Sequence, residues 1–182
     1  MYGLLKQISE KAIKLADFEF TQEQTENNWL GGMPTSEAEI KLTEKRLGID
    51  FPTDFKKFLS IANGFSAPND IEPTFETVDK IDYLKNLDSF IIEAYSIDGI
   101  ENIGKELEKS IVVGGIHEEQ YFLLIPSELS NGKWKYWKFA NWYPGEEEHE
   151  SLESYFNKVL SYLNETIESE KTNHNNTSYE KP

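Results

Sequence analysis

The sequence predicts an α+β domain with a mainly antiparallel central sheet, flanked by helices at its N- and C-terminal ends. Two observations carry this. Apolar residues recur at three- and four-residue steps near both ends of the chain, and short β-branched or aromatic runs bounded by Gly, Pro and Asn fill the stretch between them. The 182 residues suit one domain of ordinary size, and 38% hydrophobic with 13% aromatic content is enough for a core.

Leu5, Ile8, Ala12 and Leu15 mark a helix over residues 3–17, and the polar stretch Thr21–Asn28 breaks its period. Asn27-Asn28-Trp29-Leu30-Gly31-Gly32-Met33-Pro34 reads as a loop. Ser36 and Glu39 then form a capping box ahead of Ile40, Thr43 and Leu47, with Gly48 placed as a left-handed C-cap. Pro52 opens a second helix whose buried stripe is Phe55, Phe58, Leu59 and Ala62, stopped by Asn63-Gly64. Phe75–Val78 and Ser89–Tyr95 read as short strands, and Ile97, Ile100, Ile103 and Leu107 as a helix. Ile111–Val113, Tyr121–Ile125 and Lys133–Phe139 are further strands, the last two forming an antiparallel hairpin with a long connection. Aromatics on both faces of Lys133–Phe139 mark a strand buried on two sides. Leu152, Tyr155, Phe156, Val159, Leu160 and Leu163 define a closing helix. Residues 1–26 are thus a helix with its connector, 27–167 the main domain, and 168–182 a polar tail expected to be disordered.

Catalytic chemistry has no positive signal. The chain lacks cysteine, a Gly-x-Ser-x-Gly elbow, a Ser-x-x-Lys helix start, a dinucleotide fingerprint and a phosphate-binding Gly-Lys-Ser/Thr loop. His117 beside Glu118-Glu119, and His149 within Glu146–Glu150, lack the spacing that puts two metal ligands on one helical face. The expectation is no enzyme, no cofactor and no metal. A formal charge of −15 disfavours nucleic acid and anionic membranes and favours a basic protein partner. No apolar run is long enough to span a bilayer, the first residues do not read as a signal peptide, and the expected compartment is the cytoplasm.

Two stretches together resemble the SUKH superfamily, which includes a fungal cell-wall synthesis regulator and many bacterial immunity proteins. The first runs from Trp29-Leu30-Gly31-Gly32-Met33-Pro34 through Glu44-Lys45-Arg46-Leu47-Gly48-Ile49-Asp50-Phe51-Pro52 to Asp54-Phe55 and Asn63-Gly64. The second is Phe139-Ala140-Asn141-Trp142-Tyr143-Pro144-Gly145-Glu146 with the helix that follows. The resemblance implies a central antiparallel sheet with flanking helices. It also implies neutralisation of a cognate toxin, often a nuclease, by direct binding; a regulatory scaffold like the fungal member is the alternative. It carries over no catalytic residues.

Charge is unevenly spread. Residues 27–65 hold five acidic and five basic residues, 66–110 hold eleven and four, and 111–166 hold nine and four. The acidity therefore lies off the shared framework. The candidate partner-facing carboxylates are Asp70, Glu72, Asp79, Asp82, Glu118, Glu119, Glu146, Glu147 and Glu148, placed to meet a basic toxin surface. Trp142 and Tyr143 are candidate anchors, with a core or loop-packing role as the other reading of Trp142.

Overall fold

Local capping chemistry sets the first half of the chain. A computed structural model describes residues 1–127, 133–140 and 145–177. Helix α1 (Tyr2–Leu15) buries Leu5, Ile8 and Ala12 along one stripe. Its Ser9 hydroxyl accepts the Leu30 amide at 3.1 Å. Its Lys6 ammonium donates to the Asn27 and Asn28 carbonyls, at the end of α2 (Gln22–Asn27). Helix α2 forms where the sequence suggested only a break. It is held by a Thr21/Gln24 capping box and buries nothing, so it leaves no hydrophobic period to detect.

Helices α3 (Glu37–Leu47) and α4 (Thr53–Leu59) follow the expected pattern. Ser36 accepts the Glu39 amide, and Glu39 returns to the Ser36 amide at 2.8 Å. Those hydrogen bonds from Ser36, with one from Thr35, hold the Glu39 carboxyl down at about 2. Gly48 takes φ 70°, a left-handed cap that a side chain would strain.

The sheet runs β1 (Asp82–Tyr83), β2 (Ile111–Gly114), β3 (Gln120–Pro126), β4 (Trp134–Ala140), β5 (Glu146–His149), antiparallel throughout and in that spatial order. It is the middle layer of three. Ile111, Val113, Phe122, Leu124 and Tyr136 point into a core shared with α1, α3, α4 and α8 (Leu152–Thr177). Val112, Tyr121, Leu123, Ile125, Trp137 and Phe139 point the other way. There they pack with Leu84 of α5 (Leu84–Leu87), Ile91 of α6 (Ser89–Ala94) and Leu107 of α7 (Glu101–Lys109). Two buried faces explain why β2, β3 and β4 lack polar alternation. A second, irregular ladder leaves β2 through bridges Gly114–Phe75, Phe75–Phe65 and Phe65–Gly31, and it carries the Trp29–Pro34 segment.

Ser89–Tyr95, expected as a strand, is helical through Ala94. The Asp88 carboxylate caps it by accepting the Ile91 amide at 3.2 Å, and Ile91 and Tyr95, four apart, are buried while Phe90 is exposed. Phe75–Val78 contributes bridges and no regular strand. The last helix continues through residues 168–177, a stretch whose composition suggested a disordered tail. Side-chain bonds one turn apart, such as Ser169 to the Glu165 carbonyl and Lys171 to Glu168, line its polar surface. The polar tail's last residues, 178–182, and the turn at 130–132 lie outside the described residues.

Candidate partner-binding surface

The fold brings some of the candidate carboxylates together and separates the rest. Asn69 nucleates the first turn: its Oδ1 accepts the Ile71 and Glu72 amides at 3.1 and 3.0 Å. The β2–β3 turn supplies the other side. Gly115 sits at φ 79°, where a Cβ would overlap the Gln120 carbonyl, and His117 takes φ 68°. The two turns are stapled by Gln120 Nε2 donating to the Ile71 carbonyl at 3.1 Å and the Thr74 amide donating to Glu118 Oε2 at 3.0 Å.

Between the turns lies a groove of about 250 Å³ whose lining includes Asp70, Glu72, Glu118 and Glu119. Sequence reasoning named those four and missed the others that matter, Phe18, Asn69 and Ile71. Phe18 lies in a connector, and its approach to the groove has no local sequence signal.

Glu72 is the exception within the group. It turns inward, 3.0 Å from Lys138 Nζ, and accepts the Tyr155 hydroxyl at 2.7 Å. The pair is almost fully buried, and Tyr155 is held well above the usual phenol range by desolvation first and Glu72 second. Glu72 thus anchors the groove from behind.

The remaining candidates lie elsewhere. Asp82 is on edge strand β1, where its carboxylate accepts the Tyr83 amide and Asn86 and stands 3.7 Å from Arg46. Asp79 is exposed beside it. Glu146–Glu148 form β5, at the opposite edge of the sheet. Strand alternation divides them. Glu147 faces α8 and pairs with Lys158, whereas Glu148 accepts Trp137 Nε1 at 3.2 Å on the other face. Glu146 keeps one buried oxygen without a hydrogen-bond partner. Trp142 and Tyr143 lie outside the described residues.

His149, at the end of β5, stands 3.4 Å from Glu147 without hydrogen-bond geometry, and its Nε2 is buried and unpartnered. It packs edge-on to Tyr155. Burial pushes its pKa below the ordinary 6.5, Lys158 and Lys138 add to that, and Glu147 opposes it. The unfolded chain then takes up a proton below 6.5 that the folded chain refuses, so stability falls as pH drops through that window. Urea denaturation at pH 7.5 and 5.5 should show a smaller loss in His149→Phe than in the parent chain. Equal losses would mean that His149 does not drive the effect.

Elsewhere a larger cleft of about 650 Å³ opens beside Trp29–Pro34, its lining including Gly31, Gly32 and Gly64 and also Glu76 and Lys80, which stand 3.6 Å apart. Among the described residues, no group of three His, Asp or Glu side chains is placed to hold a metal ion, and no helix is long and apolar enough to cross a membrane.

The arrangement is that of an α+β platform whose acidic turns lie at one end of a three-layer core. The family model for the SMI1 / KNR4 family (SUKH-1) matches residues 34–166, and the chain belongs to that family. Domains of this family are protein-interaction modules and generally non-catalytic. No curated protein matches the chain. Helix α1 lies before the matched span, yet its buried stripe is part of the main core.

Proposed function

We propose that this chain is a cytoplasmic immunity protein that binds a cognate toxin domain, possessing a basic surface, and neutralises it by occlusion. The observation that carries this reading is the position of the charge. Residues 27–65 of the framework are balanced, while Asp70, Glu118 and Glu119 converge from two turns onto one surface beside exposed apolar side chains. Acidic rims around an apolar centre favour fast, oriented association with a basic partner such as a nuclease.

Co-expression with a toxin encoded next to this chain is the direct test. Growth rescue and a stable complex on pull-down are expected; failure of both would refute the immunity reading. Association should slow by about tenfold or more between low and high salt, as charge steering is screened. Reversing Glu146 and Glu148 to lysine should reduce the association rate if β5 belongs to the docking face. Unchanged affinity and salt dependence would exclude β5 and leave the groove at Asp70 and Glu119. Stable complexes with housekeeping proteins and none with a toxin would instead identify a regulatory scaffold.

A further inference from the structure

The regular sheet ends on two edge strands, β1 and β5, and the two edges differ. In an antiparallel pair, residues alternate between bonding the neighbouring strand and pointing their N–H and C=O away from it. At the β1 edge the Leu84 amide donates to the Ser110 carbonyl, so in this register Tyr83 is the residue whose amide points outward. That amide is taken up by the Asp82 carboxylate at 2.7 Å. At the β5 edge the Ala140 amide donates to the Gly145 carbonyl at 2.8 Å. In that register Glu147 and His149 bond β4, while the N–H and C=O of Glu146 and Glu148 point away from it. Among the described residues, nothing meets those outward groups.

We infer that β5 accepts an extended segment of the protein partner as a further antiparallel strand, with basic residues opposite Glu146 and Glu148. The bonding element is main chain, and the carboxylates decide which strand it takes. Glu146 is half-buried, and its carboxylate makes no hydrogen bond or ion pair among the described residues. Glu148 is exposed and keeps one oxygen on Trp137 Nε1. Both project on the face of their cross-strand partners Phe139 and Trp137, so the incoming cations stand two positions apart on one face. Glu147, on the other face, is already paired with Lys158 and calls for no charge opposite it. A second copy of β5 does not fit, because glutamates would then face glutamates across the new pair.

This inference rests on the protein-binding reading above, and its test separates the two. The probe is the heptapeptide Ac-Ser-Thr-Lys-Thr-Lys-Thr-Ser-NH2, added to the isotope-labelled full chain and followed by NMR. Saturable shifts are expected over residues 146–149. Amide exchange at Glu146 and Glu148 should slow by about tenfold or more, with little change at Glu147 and His149, which already bond β4. Main-chain N-methylation of both lysines removes the donors to β5 and should abolish binding. N-methylation of the threonine between them, whose amide faces away, should leave binding intact. Acetylating the two lysine side chains, or the double variant Glu146→Gln, Glu148→Gln, should weaken binding by about fivefold through loss of two cross-strand charge pairs. The variant's melting temperature should not change.

Absence of saturable shifts at β5, or slowed exchange without the alternation, would overturn the added strand. Undiminished binding of the lysine-N-methylated peptide would do the same, and would reduce the glutamates to a diffuse acidic surface. Equal binding of the acetylated peptide would overturn the selection for basic residues. A neighbouring-gene toxin that bound the double variant undiminished, and left the Glu146 and Glu148 amides unprotected, would remove β5 and leave the immunity reading standing. Alternating protection by the peptide without any toxin complex would give the reverse: the strand site stands and the immunity reading falls.

Discussion

Glu72→Ala should destabilise the folded chain by about 3–5 kcal/mol, the range for removing one partner of a buried ion pair. Glu72 and Lys138 are nearly fully buried and 3.0 Å apart, and Glu72 also accepts the Tyr155 hydroxyl. Alanine would strand an ammonium beneath the sheet and orphan a phenol within the core. The cost comes chiefly from what is left behind. The double variant Glu72→Leu, Lys138→Met should therefore recover most of the lost stability, because both buried charges go together. Urea denaturation of the two variants tests this. A single-variant loss below about 1 kcal/mol would place the pair in the weak, solvent-screened class instead.

Phe75→Ala should cost a similar amount, about 3–5 kcal/mol, by opening a cavity where the two sheet systems meet. Phe75 bridges Phe65 on one side and Gly114 on the other, and its ring centroid lies 4.9 Å from that of Phe122, 5.1 Å from Phe156 and 5.3 Å from Phe58. It thereby joins the irregular ladder, the regular sheet, α4 and α8. Phe75→Leu, which keeps most of the volume, should lose clearly less. Comparable losses for Leu and Ala in thermal or urea melts would show that aromatic geometry, and not cavity volume, sets the cost.

Some of the architecture was legible because its causes are local. The Ser36/Glu39 box and Gly48 bound α3 as expected, since a cap needs only residues three apart and a glycine that tolerates positive φ. Aromatics on both faces of β4 announced burial on two sides, and the adjacent Tyr136 and Trp137 enter opposite cores. The stripe at Leu152, Tyr155, Phe156, Val159 and Leu163 is wholly buried. Helix α6 was misread because Phe90-Ile91-Ile92 is apolar without a clear period, and only the Asp88 cap separates helix from strand. Strand β5 was hidden by its glutamates, which have low strand propensity; pairing with β4, from Phe139 opposite Glu146 to Tyr136 opposite His149, overrides it.

The candidate surface divides along the same line. Composition by itself determined that this is a strongly acidic chain whose charge lies outside its balanced opening motif, and the motif residues pointed to the family. Which carboxylates face outward was a tertiary decision. Glu72 and Asp70 are two positions apart in one acidic stretch, yet Lys138 draws the first into the core, and among the described residues no cation pairs with the second. Likewise Glu118 and Glu119 meet Asp70 only because the β2–β3 turn folds back on Asn69. The physical reason is that burial of a charge depends on a partner distant in sequence, and no pattern of neighbouring residues encodes that distance.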